Sequence, residues 1–229
     1  MNSMSEAGDP QRPLDRLRIL AIQEVAIDEA LRHVEIYTQG GLLTLLWHGP
    51  AEAESVLLAC GGAMGGVLGP ACGLYHDLGK ALCTLGIGTI RVGYRQPNRL
   101  EACALDLGAA ADAANRAGAK RFVVMGHSFG GAAAVNAAVA LRRAVRGVVT
   151  LATQSAGCET AAALADVPLL LLHGDRDELL PVEASHAVRT LAGHGEVVVL
   201  PGTGHLLLGV EEELRRRLLE WIPARFAGG

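Results

Sequence analysis

Aromatic residues are scarce, 3% of a 229-residue chain whose hydrophobic share is 50%. A core of ordinary size must therefore be built largely from Leu, Val and Ala. The five cysteines (Cys60, Cys72, Cys83, Cys103, Cys158) contain no Cys-x-x-Cys pair and no metal-ligand spacing. That pattern argues against a zinc site or a disulfide framework and fits reduced thiols. There is no basic stripe, and the formal net charge is −4, which argues against nucleic acid as a partner. Arg215, Arg216 and Arg217 are preceded four residues earlier by Glu211, Glu212 and Glu213, the spacing of a solvated helix face. No apolar run approaches the length of a membrane span. The segment Met1–Arg18, polar and carrying Pro10 and Pro13, lacks the apolar centre of a signal peptide. These absences lead to the expectation of a cytoplasmic protein with no membrane or nucleic-acid partner. It would have a flexible tail over 1–16 and a single α/β domain over 17–229.

What is present is regular alternation. Ile19–Ile27 and Val34–Tyr37 alternate as strands, and Gln39-Gly40-Gly41 turns the second into Leu42–His48, an antiparallel edge. Ser55–Cys60 is the first buried strand and runs into the glycine-rich Gly61–Gly66. Beyond it, helices near 75–86, 102–117, 129–142, 159–165, 183–192 and 208–222 alternate with strands near 87–94, 122–125, 144–152, 168–173 and 196–200. That alternation predicts a mostly parallel sheet with helices on both faces. Only about fifteen residues separate the strand ending near Thr153 from the next, too few for a separate lid domain. Sites in such sheets form outside the carboxyl ends of the strands, so the segments after each strand carry the functional argument.

After the strand Phe122–Met125 comes Gly126-His127-Ser128-Phe129-Gly130, followed by small residues suited to a close-packed helix. A serine between strand end and helix start, with glycine two residues to each side, is a nucleophile elbow; side chains at the glycine positions would collide across the turn. A serine hydroxyl needs a base and an orienting acid. The segment after the strand at 168 supplies His173-Gly174-Asp175-Arg176-Asp177-Glu178-Leu179-Leu180-Pro181. The segment after the strand at 197 supplies Pro201-Gly202-Thr203-Gly204-His205. All of these fall on one edge of the predicted sheet.

From about Val34 to Phe226 the chain resembles the α/β-hydrolase superfamily, and in its compactness the dienelactone-hydrolase-like branch. The resemblance implies the α/β-hydrolase fold and needs no cofactor. It maps the acid, four residues before Pro181, onto Asp177, and the histidine of Gly-Thr-Gly-His onto His205. By the same likeness Ser128 is the nucleophile, His205 the base and then the acid, and Asp177 the residue that holds the imidazolium. Asp175 is the competing acid, with an expected role in bonding backbone amides of its own loop. Glu178 is expected at the surface. The oxyanion donors are expected at the amide of Phe129 and at Gly62 or Ala63, with Cys60-Gly61 standing where the family usually has His-Gly. The branch's namesakes carry cysteine where this chain has Ser128, so lactone chemistry is less expected than cleavage of small carboxylic esters. The alternatives on the same three residues are a thioesterase, an amidase, a carbon–carbon-bond hydrolase or a slow-turnover ligand sensor.

Around this centre Met64, Tyr75, Tyr94, Thr153 and Gln154 are expected as pocket walls, because they follow strands or the glycine-rich loop. Cys60 is expected as a packed hydrophobe, His127 packed on a neighbouring strand, and His173 bonded to its own loop. His48 and His76 have no ligand partner at metal spacing. Arg95 is expected in a surface ion pair with Glu101 or Asp106. A missing lid and few aromatics predict an open, modest pocket that disfavours long lipids.

Overall fold

The computed structural model describes residues 12–227. In chain order the elements are β1 Ile19–Ala26, β2 Leu31–Thr38, β3 Gly41–His48, β4 Ser55–Cys60, α1 Leu74–Cys83, β5 Gly88–Gly93, α2 Leu100–Ala117 and β6 Arg121–His127. Then follow α3 Phe129–Ala140, β7 Val145–Leu151, β8 Leu169–Gly174, α4 Glu183–Ala192, β9 Glu196–Leu200 and α5 Glu211–Phe226. The strands make one nine-stranded sheet in the order β1-β2-β3-β5-β4-β6-β7-β8-β9. The pairs β1/β2, β2/β3 and β3/β5 are antiparallel, and every pair from β5/β4 onward is parallel.

Alternation along the central strands divides the core into two layers, as the period-two geometry of a strand requires. Val56, Leu58, Phe122 and Val124 face α2, α3 and α4. Leu57, Ala59, Val123 and Met125 face α1 and α5. Strands β4 and β8 are buried on both faces, which explains their unbroken apolar runs. Between β7 and β8 the only helical element is a 3-10 helix, Glu159–Leu164, and among the described residues no separate lid covers the sheet's edge.

Three expectations need correction. Residues 1–11 of the proposed tail lie outside the described residues, but residues 12–16 are packed rather than loose. Leu14 and Leu17 are buried, and Arg12 pairs with the buried Asp112, whose second oxygen accepts the Leu14 amide at 3.2 Å. Apolar burial and a paired carboxylate anchor this stretch against α2. The terminal helix starts at Glu211 and runs through Pro223 to Phe226 rather than spanning 208–222. Leu207 and Gly209 have positive φ, which precludes a helix there. On either side of the proline Ile222 and Phe226 are buried, and Arg121 Nη1 donates to the Phe226 carbonyl at 2.9 Å; tertiary packing overrides the break. Of the three glutamates in this helix's first turn only Glu213 pairs four residues on, with Arg217 at 2.5 Å; Glu211 instead accepts the Gly209 amide at 2.9 Å.

Candidate active site

Ser128 stands at the junction of β6 and α3 with φ 58° and ψ −125°, a conformation that costs a non-glycine residue about 1–3 kcal/mol. The surroundings hold it there. Its N–H donates to Leu151 O at 2.8 Å, and its carbonyl accepts the Gly131 amide at 2.9 Å. The flanking glycines are required: a Cβ on Gly126 would run into the Gly130 carbonyl oxygen, and one on Gly130 into that of Gly61.

The acid and histidine loops leave β8 and β9 side by side. His205 Nε2 lies 3.0 Å from Ser128 Oγ, and its Nδ1 lies 2.8 Å from Asp177 Oδ2. A carboxylate only accepts, so Nδ1 carries the ring proton and Nε2 is left to receive the serine's. The side chain of Asp177 is fully buried. Burial alone would raise its carboxyl. The Leu180 amide, His205 and the Leu179 amide outweigh that and hold it below the usual carboxylate range. The two amides bond Oδ1 at 2.8 and 2.9 Å. His173, fully buried, adds a contact the sequence did not reveal. Its Nε2 donates to Leu180 O at 3.0 Å and also lies 3.1 Å from Asp177 Oδ2, while its Nδ1 accepts from Ser185 Oγ at 2.7 Å. The acid is thus fixed by two amides and two imidazoles.

The competing acids are occupied elsewhere. Asp175 does not bond its own loop; its Oδ1 accepts the Gly202 amide at 2.6 Å and ties the acid loop to the histidine loop. Glu178, exposed, nonetheless accepts the His205 amide at 3.2 Å. His127 does more than pack: Nε2 donates to the His205 carbonyl at 3.0 Å, and the residue lines the cleft. Its pKa is lowered to about 4, chiefly by burial, so it stays neutral.

The glycine-rich loop after β4 forms the other bank. Gly62 is adjacent to the serine, since a Cβ there would sit 3.4 Å from Ser128 Cβ. It pairs with Gly65, whose amide donates to Gly62 O at 2.9 Å, closing a turn over Ala63 and Met64. Phe129 is the first residue of α3, so its amide is among the helix's unpaired donors beside Ser128. Cys60 is fully buried with its thiol pushed up to about 12 by burial, which is no nucleophile.

A cleft of about 440 Å³ opens over this group. It is lined by the Gly61–Pro70 loop, His127, Ser128, Leu179, His205 and Leu206. Met64 lines it. Tyr75, Tyr94, Thr153 and Gln154 do not. Tyr75 and Tyr94 point into the core, and their hydroxyls donate to Cys60 O at 2.8 Å and Gly61 O at 3.1 Å, bracing the loop from beneath. Thr153 is buried against Gly131 of α3, and Gln154 bonds Ala156 O at 2.7 Å. Arg95 pairs with Asp106 at 2.5 Å, but in the core rather than at the surface. A larger groove, about 590 Å³ between Arg142, Arg146 and Arg225 at the opposite end of β7 and β8, holds no nucleophile. Among the described residues no group of three or more His, Cys, Asp or Glu could hold a metal ion, and no helix is long and apolar enough to cross a membrane.

This fold and this site define a class, and comparison with known proteins agrees. A sequence profile of the alpha/beta hydrolase family matches residues 74–213, and the chain belongs to that family. No curated protein sequence matches it. Among solved structures it is similar to Est1E from Butyrivibrio proteoclasticus, with a TM-score of 0.72, 19% identity, and coverage of 85% of this chain and 99% of that one. It is also similar to dienelactone hydrolase from Anabaena variabilis (TM-score 0.71, 18% identity, 89% and 98% covered). A third is an α/β hydrolase of unknown function from Agrobacterium tumefaciens (0.72, 19%, 86% and 97%). At such identities the likeness is one of fold.

Proposed function

We propose that this hydrolase is a serine esterase that cleaves small carboxylic esters through an acyl-enzyme. The observation that carries the reading is the unbroken hydrogen-bonded line from Ser128 Oγ through His205 to the buried Asp177, opening on a cleft. Ser128 Oγ attacks the acyl carbon as its proton passes to His205 Nε2. Asp177 keeps Nδ1 protonated and stabilises the imidazolium. The amide of Phe129, with that of Gly62 or Ala63, holds the oxyanion. His205 then returns the proton to the departing alcohol. A water deprotonated by the same Nε2 releases the acid and restores the serine. Every step uses side chains and amides of this chain acting on a small-molecule ester and a water.

The test is hydrolysis of p-nitrophenyl acetate and butyrate by the wild type and Ser128→Ala. The expected result is turnover by the wild type and a loss of about 10⁴-fold or more in the variant. A variant as active as the wild type would place the chemistry elsewhere.

A further inference from the structure

We infer that the cleft selects esters bearing an uncharged aliphatic chain of medium length over acetates. Met64 and Leu68 would grip the chain from one bank, Leu179 and Leu206 from the other. This rests on the serine-esterase reading and adds to it the substrate's chain. The four side chains are large, apolar and 93%, 62%, 69% and 54% exposed. A single exposed leucine needs no explanation. Four that converge on one opening mark a binding surface.

Sheet order sets the banks apart. Met64 and Leu68 follow β4 on one side of Ser128, while Leu179 and Leu206 follow β8 and β9 on the other. The Ala71 amide donates to Leu206 O at 2.8 Å and joins the two banks. Among the described residues, the cleft lining contains no acid and no fixed cation, and its only titratable side chains are His127 and His205. A carboxylate or ammonium on the substrate would find no counter-charge there. Arg95, next in sequence to the expected pocket wall Tyr94, is committed to the buried Asp106. The volume of about 440 Å³ suits a small ligand, and with no lid the far end of a long chain would lie in water.

The experiment measures kcat/KM for p-nitrophenyl acetate, butyrate, hexanoate, octanoate and dodecanoate, each below its solubility limit. Full burial of a methylene is worth about 4-fold, so a half-open cleft should give about 2-fold per methylene. From acetate to octanoate, six methylenes, the expected rise is about 60-fold, levelling off by dodecanoate. Leu68→Ser and Leu179→Ser, at exposed positions that do not threaten the fold, should each lower the octanoate-to-acetate ratio by about 5-fold. Leu20→Ser on the exposed face of β1 should leave the ratio unchanged. A flat or falling profile in the wild type overturns the inference, as does a ratio insensitive to both cleft variants. Preference for p-nitrophenyl hemisuccinate over butyrate would also overturn it. So would octanoate activity that appears only above the solubility limit, because the rim would then be seating on a lipid surface. If Ser128→Ala is inactive on acetate and the profile is flat, only the chain assignment fails. If Ser128→Ala matches the wild type on acetate, the esterase reading itself fails.

Discussion

In the loop from Gly174 to Leu180 all three carboxylates are committed to hydrogen bonds, whereas the loop from Gly61 to Pro70 has no polar side chain to commit. The first is held by its own side chains and tied to the histidine loop. The second is held from beneath, by Tyr75 on Cys60 O, Tyr94 on Gly61 O and Arg91 on Val67 O at 3.3 Å. The difference follows from what each must present. A proton relay needs one imidazole aimed within tenths of an ångström, and buried charge-assisted bonds supply that aim. An oxyanion site and an apolar wall need backbone amides and free surface, which glycine and apolar residues supply without competing side-chain donors. The acid loop is therefore sensitive to the exchange of one atom, and the glycine loop to the addition of one.

The largest effect should come from Asp177→Asn. It keeps the shape but removes the acceptor that fixes His205 Nδ1–H, and a loss of kcat of about 10⁴-fold is expected. Asp175→Asn leaves the relay intact and should cost less than about 10-fold, since it weakens one exposed amide contact. Comparable losses in the two variants would erase the distinction between relay and loop tie. In the glycine loop the corresponding test adds one methyl. A Cβ on Gly61 would overlap the carbonyl oxygens of Gly65 and Gly66, while one on Gly62 meets Ser128 Cβ at 3.4 Å, a tight but tolerable approach. Gly61→Ala should displace the oxyanion turn and cost about 10²–10³-fold in kcat, with Gly62→Ala milder. The reverse order would mean that the turn tolerates movement and the serine's neighbour does not. Smaller again is His173→Ala. Losing one buried contact to the carboxylate is worth about 1.5–3 kcal/mol, or about 10–100-fold in kcat with KM little changed. Partial recovery in His173→Gln, whose amide can donate to Asp177, would separate positioning from a mere packing defect.

Much of the scaffold was legible in the sequence because the central strands are apolar runs bounded by glycine, and because loop after loop ends at the same sheet edge. Ser128, Asp177 and His205 were legible for the same reason: each sits on a short segment directly after a strand. Pocket walls were harder, since following a strand says where a residue is and not where it points. Tyr94 continues the alternation Ile90, Val92 into the α2–α3 layer, and Tyr75 belongs to the buried stripe Leu74, Tyr75, Leu78, Leu82 of α1. Both periodicities were present in the chain and outweigh proximity to the loop. The rim leucines carried no such signal, because exposure at a loop apex depends on how three loops converge. His173 was expected to bond its loop and does so; that it also reaches Asp177 depends on the turn of β8, which no residue spacing encodes.

The smallest effect concerns stability rather than turnover, and it involves two buried histidines, His127 and His48. His127 supports the histidine loop. His48 lies buried in β3 near Arg91, which braces the glycine loop. Both have a pKa lowered to about 4, in each case mainly by burial; Arg91 adds to the effect at His48, whereas the bond to the His205 carbonyl opposes it at His127. The unfolded chain takes up these protons near pH 6.5. Between about 6.5 and about 4 the unfolded state therefore binds more protons than the folded one, and stability falls as pH falls, by about 1.4 kcal/mol per pH unit for each histidine. Asp177 acts in a different window: its depressed carboxyl stabilises the fold above its unfolded value and is lost only at more acid pH. Urea midpoints from pH 7 to 4.5 should decline steadily, and His127→Gln and His48→Gln should each make the decline shallower by about that increment per pH unit. A decline that neither variant alters would mean that both sites relax to accept the proton. If only His48→Gln alters it, the hydrogen-bonded side of the cleft is the more pliable one, the reverse of what its bonding implies.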